Sequence, residues 1–152
     1  MDAAPELALL LQEIVRAAHG ERVVFTVHPR TARTLREIGP VPPGLLLVDP
    51  QPYLEFKYLV RHARAVITDS GGVTEETTVM GVPCMTLRTK TERPETVTIG
   101  TNELLGTDPS ALAPALERLH AGAWKHGGIP PLWDGQAGRR IVEFLKTNFA
   151  GA

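Results

Sequence analysis

A chain of 152 residues with 43% hydrophobic and 22% charged content has the size and balance of one globular domain, which excludes a disordered chain. A formal net charge of -1 excludes the broad basic field of a general nucleic-acid binder, so any anionic ligand must be held by local geometry. The single cysteine, Cys84, excludes an internal disulfide framework and fits a reducing compartment.

Along the chain, Leu7, Leu10, Leu11, Ile14 and Val15 recur at helical spacing and predict a helix over 5–18, with Gly20 to stop it. Val23-Val24-Phe25-Thr26-Val27 is short, continuous and β-branched, as a strand buried on both faces should be. A helix over 31–38 follows and Gly39-Pro40 breaks it. Leu45 to Val48 reads as a second strand and 52–62 as a helix behind Pro50 and Pro52. Ala65 to Thr68 is a third strand, Val73 to Met80 a helix ending at Gly81, and Cys84 to Leu87 a fourth strand. Asn102 to Leu105 gives a fifth strand, and Pro109 and Ser110 open a helix over 110–120. A Gly- and Pro-rich loop over 121–135 precedes a last helix from about Gln136 to Phe149. No apolar run is long enough to cross a bilayer, and Met1-Asp2-Ala3-Ala4-Pro5-Glu6 lacks the basic start of a signal peptide. The expectation is a cytoplasmic protein with no membrane or nucleic-acid partner.

Strands of four to six residues alternating with helices predict an α/β fold with a doubly wound, Rossmann-like parallel sheet. Right-handed crossovers place helices on both faces, and ligands bind outside the carboxyl ends of the strands. The residues to inspect are therefore those just after strands.

Thr68-Asp69-Ser70-Gly71-Gly72-Val73-Thr74-Glu75-Glu76 follows the third strand and opens a helix. Two glycines let the backbone turn and approach a ligand without an intervening Cβ. The helix start adds unpaired N–H groups and the positive end of its dipole, a seat for phosphate. Ser70 can add a hydroxyl, and Glu76 can accept from ribose hydroxyls. The plainer alternative is that Ser70 or Asp69 caps the helix and the glycines only make the turn.

After the first strand, His28-Pro29-Arg30 sets an imidazole and a guanidinium at the same edge, where His28 could bond a phosphate or assist proton transfer. Alternatively, Pro29 only starts a helix and both side chains are solvated. After the fourth strand, Arg88 through Glu95 crowds cations and carboxylates into one loop. Arg93 either pairs internally with Glu92 or faces a pyrophosphate. Cys84 reads as core rather than nucleophile, and His19, His62 and His120 as cations near helix ends. Of Tyr53, Phe56 and Tyr58, at least one packs in the core, and Phe56 could instead line a base pocket. No Cys/His cluster has metal-ligand spacing, and no metal or cofactor is expected.

In order, Val27-His28-Pro29-Arg30, Asp49-Pro50-Gln51-Pro52-Tyr53, Asp69 through Glu76, Gly81-Val82-Pro83-Cys84 and Thr91-Glu92-Arg93-Pro94-Glu95-Thr96-Val97 resemble the C-terminal half of the non-hydrolysing UDP-N-acetylglucosamine 2-epimerases. The likeness continues weakly through Gly106-Thr107-Asp108 and Asp134-Gly135 and so covers nearly the whole chain. It implies one half of a glycosyltransferase-B-like fold: a single UDP-binding domain over 1–152, with the active site in the cleft against the other half. In that family UDP is eliminated to a glycal intermediate and re-added on the opposite face, inverting C2. Carried over, Ser70, Gly71 and Gly72 would hold the pyrophosphate and Glu76 the ribose. His28 would assist beside the phosphates, and the segment around Tyr53 and Phe56 would contact uracil, largely through backbone groups.

Two departures stand out. The tract Gly127-Gly128-Ile129-Pro130-Pro131-Leu132-Trp133 is unlike the family's usual approach to Asp134-Gly135. An N-terminal half is also missing from the sequence, so this is expected to be an excised domain or a separate subunit, inactive as an epimerase alone. The partners expected are UDP or UDP-N-acetylglucosamine and that N-terminal half, onto which the final helix would pack. Self-association along the exposed edge would be the alternative. Three other readings stand beside the epimerase: the donor-binding half of a UDP-sugar glycosyltransferase, a non-enzymatic UDP-sugar binding module and, remotely, a flavodoxin-like carrier.

Overall fold

The computed structural model describes residues 4–149. Met1 to Ala3 of the N-terminal segment and the last three residues of the expected 1–152 domain lie outside the described residues.

Five strands alternate with helices: α1 Ala4–Ala17, β1 Val23–Thr26, α2 Pro29–Ile38, β2 Leu45–Val48, α3 Tyr53–His62, β3 Val66–Thr68, α4 Gly71–Met80, β4 Cys84–Thr86, α5 Pro94–Thr98, β5 Asn102–Leu104, α6 Leu112–His120 and α7 Ala137–Phe149. All pairings are parallel. Their hydrogen bonds fall into two ladders, β1-β2 and β3-β4-β5, rather than one continuous sheet. The strands are only three or four residues long. Because every pair is parallel, the carboxyl ends within each ladder share an edge, and the loops that follow them collect the chemistry there.

The main core lies on one face. Leu7, Leu10 and Leu11 of α1, Leu35 of α2 and Leu112, Ala115, Leu116 and Leu119 of α6 form helical stripes. They close over alternate strand residues, among them Phe25, Leu45, Ile67 and Met85. The other face is built differently. Helix α4 has no apolar stripe; its buried residues are Thr74, Thr77 and Thr78. Their hydroxyls bond back to the helix's own carbonyls, Thr74 to Gly71 at 2.6 Å and Thr77 and Thr78 to Thr74 at 3.0 and 2.8 Å. With the hydroxyls satisfied, the methyl groups are free to pack against the strands.

Below α4 runs a buried polar chain. Thr86 donates to Asn102 Oδ1 at 2.6 Å, Asn102 donates to Thr96 at 3.2 Å, and Thr96 donates to the Arg93 carbonyl at 2.8 Å. Through it β4, β5 and α5 become one unit. The Arg88–Glu95 loop of the sequence reading is thus shorter than expected, because Pro94 begins α5. Proline at a first helical position is pre-set for that role, and the five-residue helix is too short to show periodicity.

The segment 121–135 contains no helix or strand, as expected, yet it is seated firmly. Trp124 is buried and its Nε1 donates to the Thr101 carbonyl at 2.9 Å. Lys125 donates to the Val97 carbonyl, and the Gly128 N–H donates to the Ile99 carbonyl at 2.8 Å. Gly127 passes so close to the connection between α5 and β5 that a Cβ there would stand 2.5 Å from the Gly100 carbonyl carbon. Backbone cannot yield as a side chain can. Gly127→Ala should therefore cost about 1–3 kcal/mol in a urea melt, the usual range for overpacking. An unchanged midpoint would mean that the 121–135 segment does not press on Gly100 and Thr101 as described.

Candidate functional site

Asp69 and Ser70 connect β3 to α4 at the carboxyl edge, and α4 begins at Gly71 rather than at Val73 as expected, so both glycines lie in its first turn. Ser70 is the N-cap residue in extended conformation, with φ -89° and ψ 124°, but its side chain makes no capping hydrogen bond. Instead, the Ser70 N–H is turned back onto Thr68 Oγ1 at 3.0 Å. The simple capping role for Ser70 is therefore not taken up, and its hydroxyl is left uncommitted. Neither Gly71 nor Gly72 adopts positive φ, so the expectation that they supply a sharp turn is corrected. A Cβ at either would meet nothing within 4 Å of the chain itself. What their smallness provides is open approach to the first-turn N–H groups, which have no acceptor within the helix.

One turn further on, a cleft of about 680 Å³ opens between α3, α4 and α5. Its walls include Tyr53, Lys57, Glu75, Glu76, Arg93 and Trp133. Three residues singled out from the sequence, Tyr53, Glu76 and Arg93, thus come together here. Tyr53 is largely exposed at the mouth. Glu76 is ion-paired with Lys57, and its second oxygen, Oε2, is buried without a hydrogen-bond partner among the described residues. Arg93 pairs with Glu75, and reaches only the Glu92 carbonyl, at 3.4 Å; the expected Glu92–Arg93 ion pair is not formed. The guanidinium beside Glu75 has its pKa held above the ordinary arginine value by that hydrogen bond.

The other expected residues lie elsewhere. Phe56 is half-buried on α3 and does not line the cleft; its N–H is already bonded to the Pro52 carbonyl at 2.9 Å. Tyr58 is exposed with Tyr53, so of the three aromatics only Phe56 turns inward. His28 lies two residues beyond β1 as the N-cap of α2, with Pro29 at the first helical position. Its Nδ1 accepts from the Arg30 N–H at 3.3 Å, which assigns the proton of the neutral ring to Nε2. His28 lies outside the cleft, as do Ser70, Gly71 and Gly72.

Lys57, Glu75, Glu95 and Trp133 are cleft residues that the sequence reading did not assign. For Lys57 a signal was present: it stands four residues after Tyr53, on the same face of a helix. Trp133 comes from the irregular tract before α7, which no periodicity could place. Cys84 is fully buried, as its reading as core required, and burial pushes its thiol pKa up. A thiol reagent at mildly alkaline pH should leave it unmodified in the folded chain and label it fully in concentrated guanidinium chloride. Rapid labelling of the folded chain would contradict this burial.

The model of the UDP-N-acetylglucosamine 2-epimerase family matches residues 2–146. The UDP-N-acetylglucosamine 2-epimerase of Methanocaldococcus jannaschii is 38% identical over 134 residues, 84% of this chain and 36% of that protein. The Escherichia coli K12 enzyme is 36% identical over 149 residues, 94% of this chain and 40% of its own length. Among solved structures, the M. jannaschii epimerase in complex with UDP-GlcNAc and UDP aligns with a TM-score of 0.79 and 34% identity, covering 94% of this chain and 40% of that one. The Neisseria meningitidis epimerase bound to UDP-GlcNAc gives 0.82 and 27%, covering 97% and 42%. The chain thus spans about 40% of the length of these relatives. By sequence and by its Rossmann-like fold, one half of a glycosyltransferase-B-type architecture, it belongs to the UDP-N-acetylglucosamine 2-epimerase family.

Proposed function

We propose that this chain is the UDP-holding part of a UDP-N-acetylglucosamine 2-epimerase. The observation that carries this reading is the start of α4, where an uncommitted Ser70 hydroxyl and two unobstructed glycines face outward one turn from Glu76. Helix N–H groups with a positive dipole end suit a pyrophosphate, and a carboxylate one turn away suits the ribose hydroxyls. In this arrangement Ser70, Gly71 and Gly72 hold the pyrophosphate and Glu76 the ribose. Tyr53, at the cleft mouth, is the side chain nearest to hand for the base. Phe56 contributes no free N–H, so its part is to pack α3. Arg93, already neutralised by Glu75, fixes α5 against α4 more than it adds charge for phosphate.

His28 is the candidate assistant in the reaction. With Nδ1 occupied by a backbone donor, its Nε2–H is a donor suited to a phosphate oxygen of departing UDP. No other acid/base group is assigned here for the proton at C2. Catalysis needs groups held on both sides of the sugar. The complete reaction therefore requires a second half, and the chain alone should not turn over UDP-N-acetylglucosamine. Helix α7 supports that reading. None of its residues is buried, and Ile141, Phe144, Leu145 and Phe149 are 49–62% exposed, a stripe suited to packing on that half. A cytoplasmic location is part of this proposal, and the lack of any membrane-crossing helix among the described residues is compatible with it. The glycosyltransferase alternative shares the α4 phosphate seat, but the family match favours the epimerase.

Two outcomes follow. Calorimetric titration should show UDP binding that Ser70→Ala and Glu76→Gln each weaken by about 1 kcal/mol or more, the scale of a lost hydrogen bond to a charged group. Full UDP affinity in both variants would exclude the assigned site. In a coupled epimerisation assay the chain alone should show no turnover, and turnover near that of a whole enzyme would refute the two-half account.

A further inference from the structure

The cleft holds one charge that the nucleotide reading does not call for. Lys57, on the second turn of α3, extends its ammonium into the wall and pairs with Glu76 Oε1. Its side chain is 15% exposed and that of Glu76 is 28% exposed, so the pair is mostly withdrawn from water. The Lys57 nitrogen stands 4.9 Å from the centre of the Tyr53 ring, which shields it on one side. Glu76 Oε2, by contrast, is out of contact with solvent and has no donor among the described residues. One oxygen of the carboxylate is tied down and the other is left in deficit. With Oε2 turned inward, Oε1 beside the ammonium is the carboxylate oxygen that a ligand in the cleft can reach.

We propose that Lys57 is a positioning residue that orients the Glu76 carboxylate so that it selects a vicinal diol, making the cleft specific for ribonucleotides over deoxyribonucleotides. This inference rests on the placement of ribose at Glu76 given above. With Oε1 held by the ammonium, the carboxylate cannot rotate freely, and the second lone pair of Oε1 is kept for a sugar hydroxyl. The ammonium has three protons and spends one on Oε1, so it retains donors for the oxygen of a hydroxyl that approaches Oε1. Such a hydroxyl would donate to one partner and accept from the other. A nucleotide lacking the 2′-hydroxyl satisfies neither fully. Sites built to bond a hydroxyl reject the analogue that lacks it, because their own polar groups are then left unpaired.

The test compares UDP with 2′-deoxy-UDP by calorimetry on the whole chain, for wild type, Lys57→Met, Lys57→Arg and Glu76→Gln. Pyrophosphate and base contacts are common to both ligands and cancel in the ratio of their affinities. Wild type should prefer UDP by about tenfold, the scale of a hydrogen bond to a charged group. Lys57→Met should reduce the preference to about twofold, as should Glu76→Gln, and Lys57→Arg should restore most of it. If the Met variant does not fold, Lys57→Gln, which also lacks the charge, takes its place. A lysine that only stabilises the fold would lower both affinities together and leave the ratio intact, and that result overturns the proposal. So does a wild type that binds UDP without preference. A folded wild type that binds no UDP overturns the nucleotide site itself, and this inference with it.

Discussion

Everything at the candidate site depends on how α4 sits on β3, β4 and β5. The contact is made by threonines rather than by large apolar side chains: Thr74, Thr77 and Thr78 are almost fully buried. Threonine is compact and β-branched, and with its hydroxyl returned to the helix backbone it presents a methyl group to the sheet. A seat of such small side chains allows the helix to lie close on the strands. The same few residues tie in α5, since Thr86, Asn102 and Thr96 hydrogen-bond in sequence down to the Arg93 carbonyl. Buried polar chains of this sort fix geometry when every member is satisfied. The start of α4, the Arg93–Glu75 pair and the cleft wall are consequently set by one shared foundation.

Most of this architecture was legible in the sequence. The helical stripe of α1 and the stop at Gly81, with φ 70°, behave as the residue patterns require, and Val23 to Thr26 forms a strand, but not one buried on both faces: none of its residues is buried and Val24 is 43% exposed. The loops after β1, β3 and β4 were picked out as the edge to inspect because parallel strands gather their carboxyl ends there; of their residues Arg93 reaches the cleft, and His28 does not. What could not be read were tertiary pairings. Arg93 had carboxylates on both sides in sequence, and only the fold shows that Glu75, eighteen residues away, is its partner. Lys57 and Glu76 sit on different helices, so no local spacing joins them. Gly71 and Gly72 were read both as a sharp turn and as an open approach for a ligand; with no positive φ and no neighbour where a Cβ would stand, only the second reading remains. The five residues of α5 were too few to declare a period.

The structure also carries marks of a surface made to be covered. Val24 and Leu46, adjacent in the β1-β2 ladder, are 43% and 48% exposed, and α7 shows an apolar stripe with nothing against it among the described residues. Such surface fits a chain that spans about 40% of its relatives' length. It gives the two-half account a physical basis independent of sequence similarity: a nucleotide site can be complete on one side while the apolar faces beside it await a partner. If UDP binds as proposed, the domain would hold the leaving group, and the proton chemistry at the sugar would depend on groups brought from across the cleft.

The proposed seat for a nucleoside diphosphate is the start of α4 with the adjoining cleft, and amide chemical-shift mapping during a UDP titration reads both at once. The largest changes should fall on Gly71, Gly72 and Val73, with a second group at Tyr53, Lys57 and Glu76. Saturable changes gathered instead around the separate groove lined by Leu35, Arg36 and Val48, with the α4 start unmoved, would contradict it.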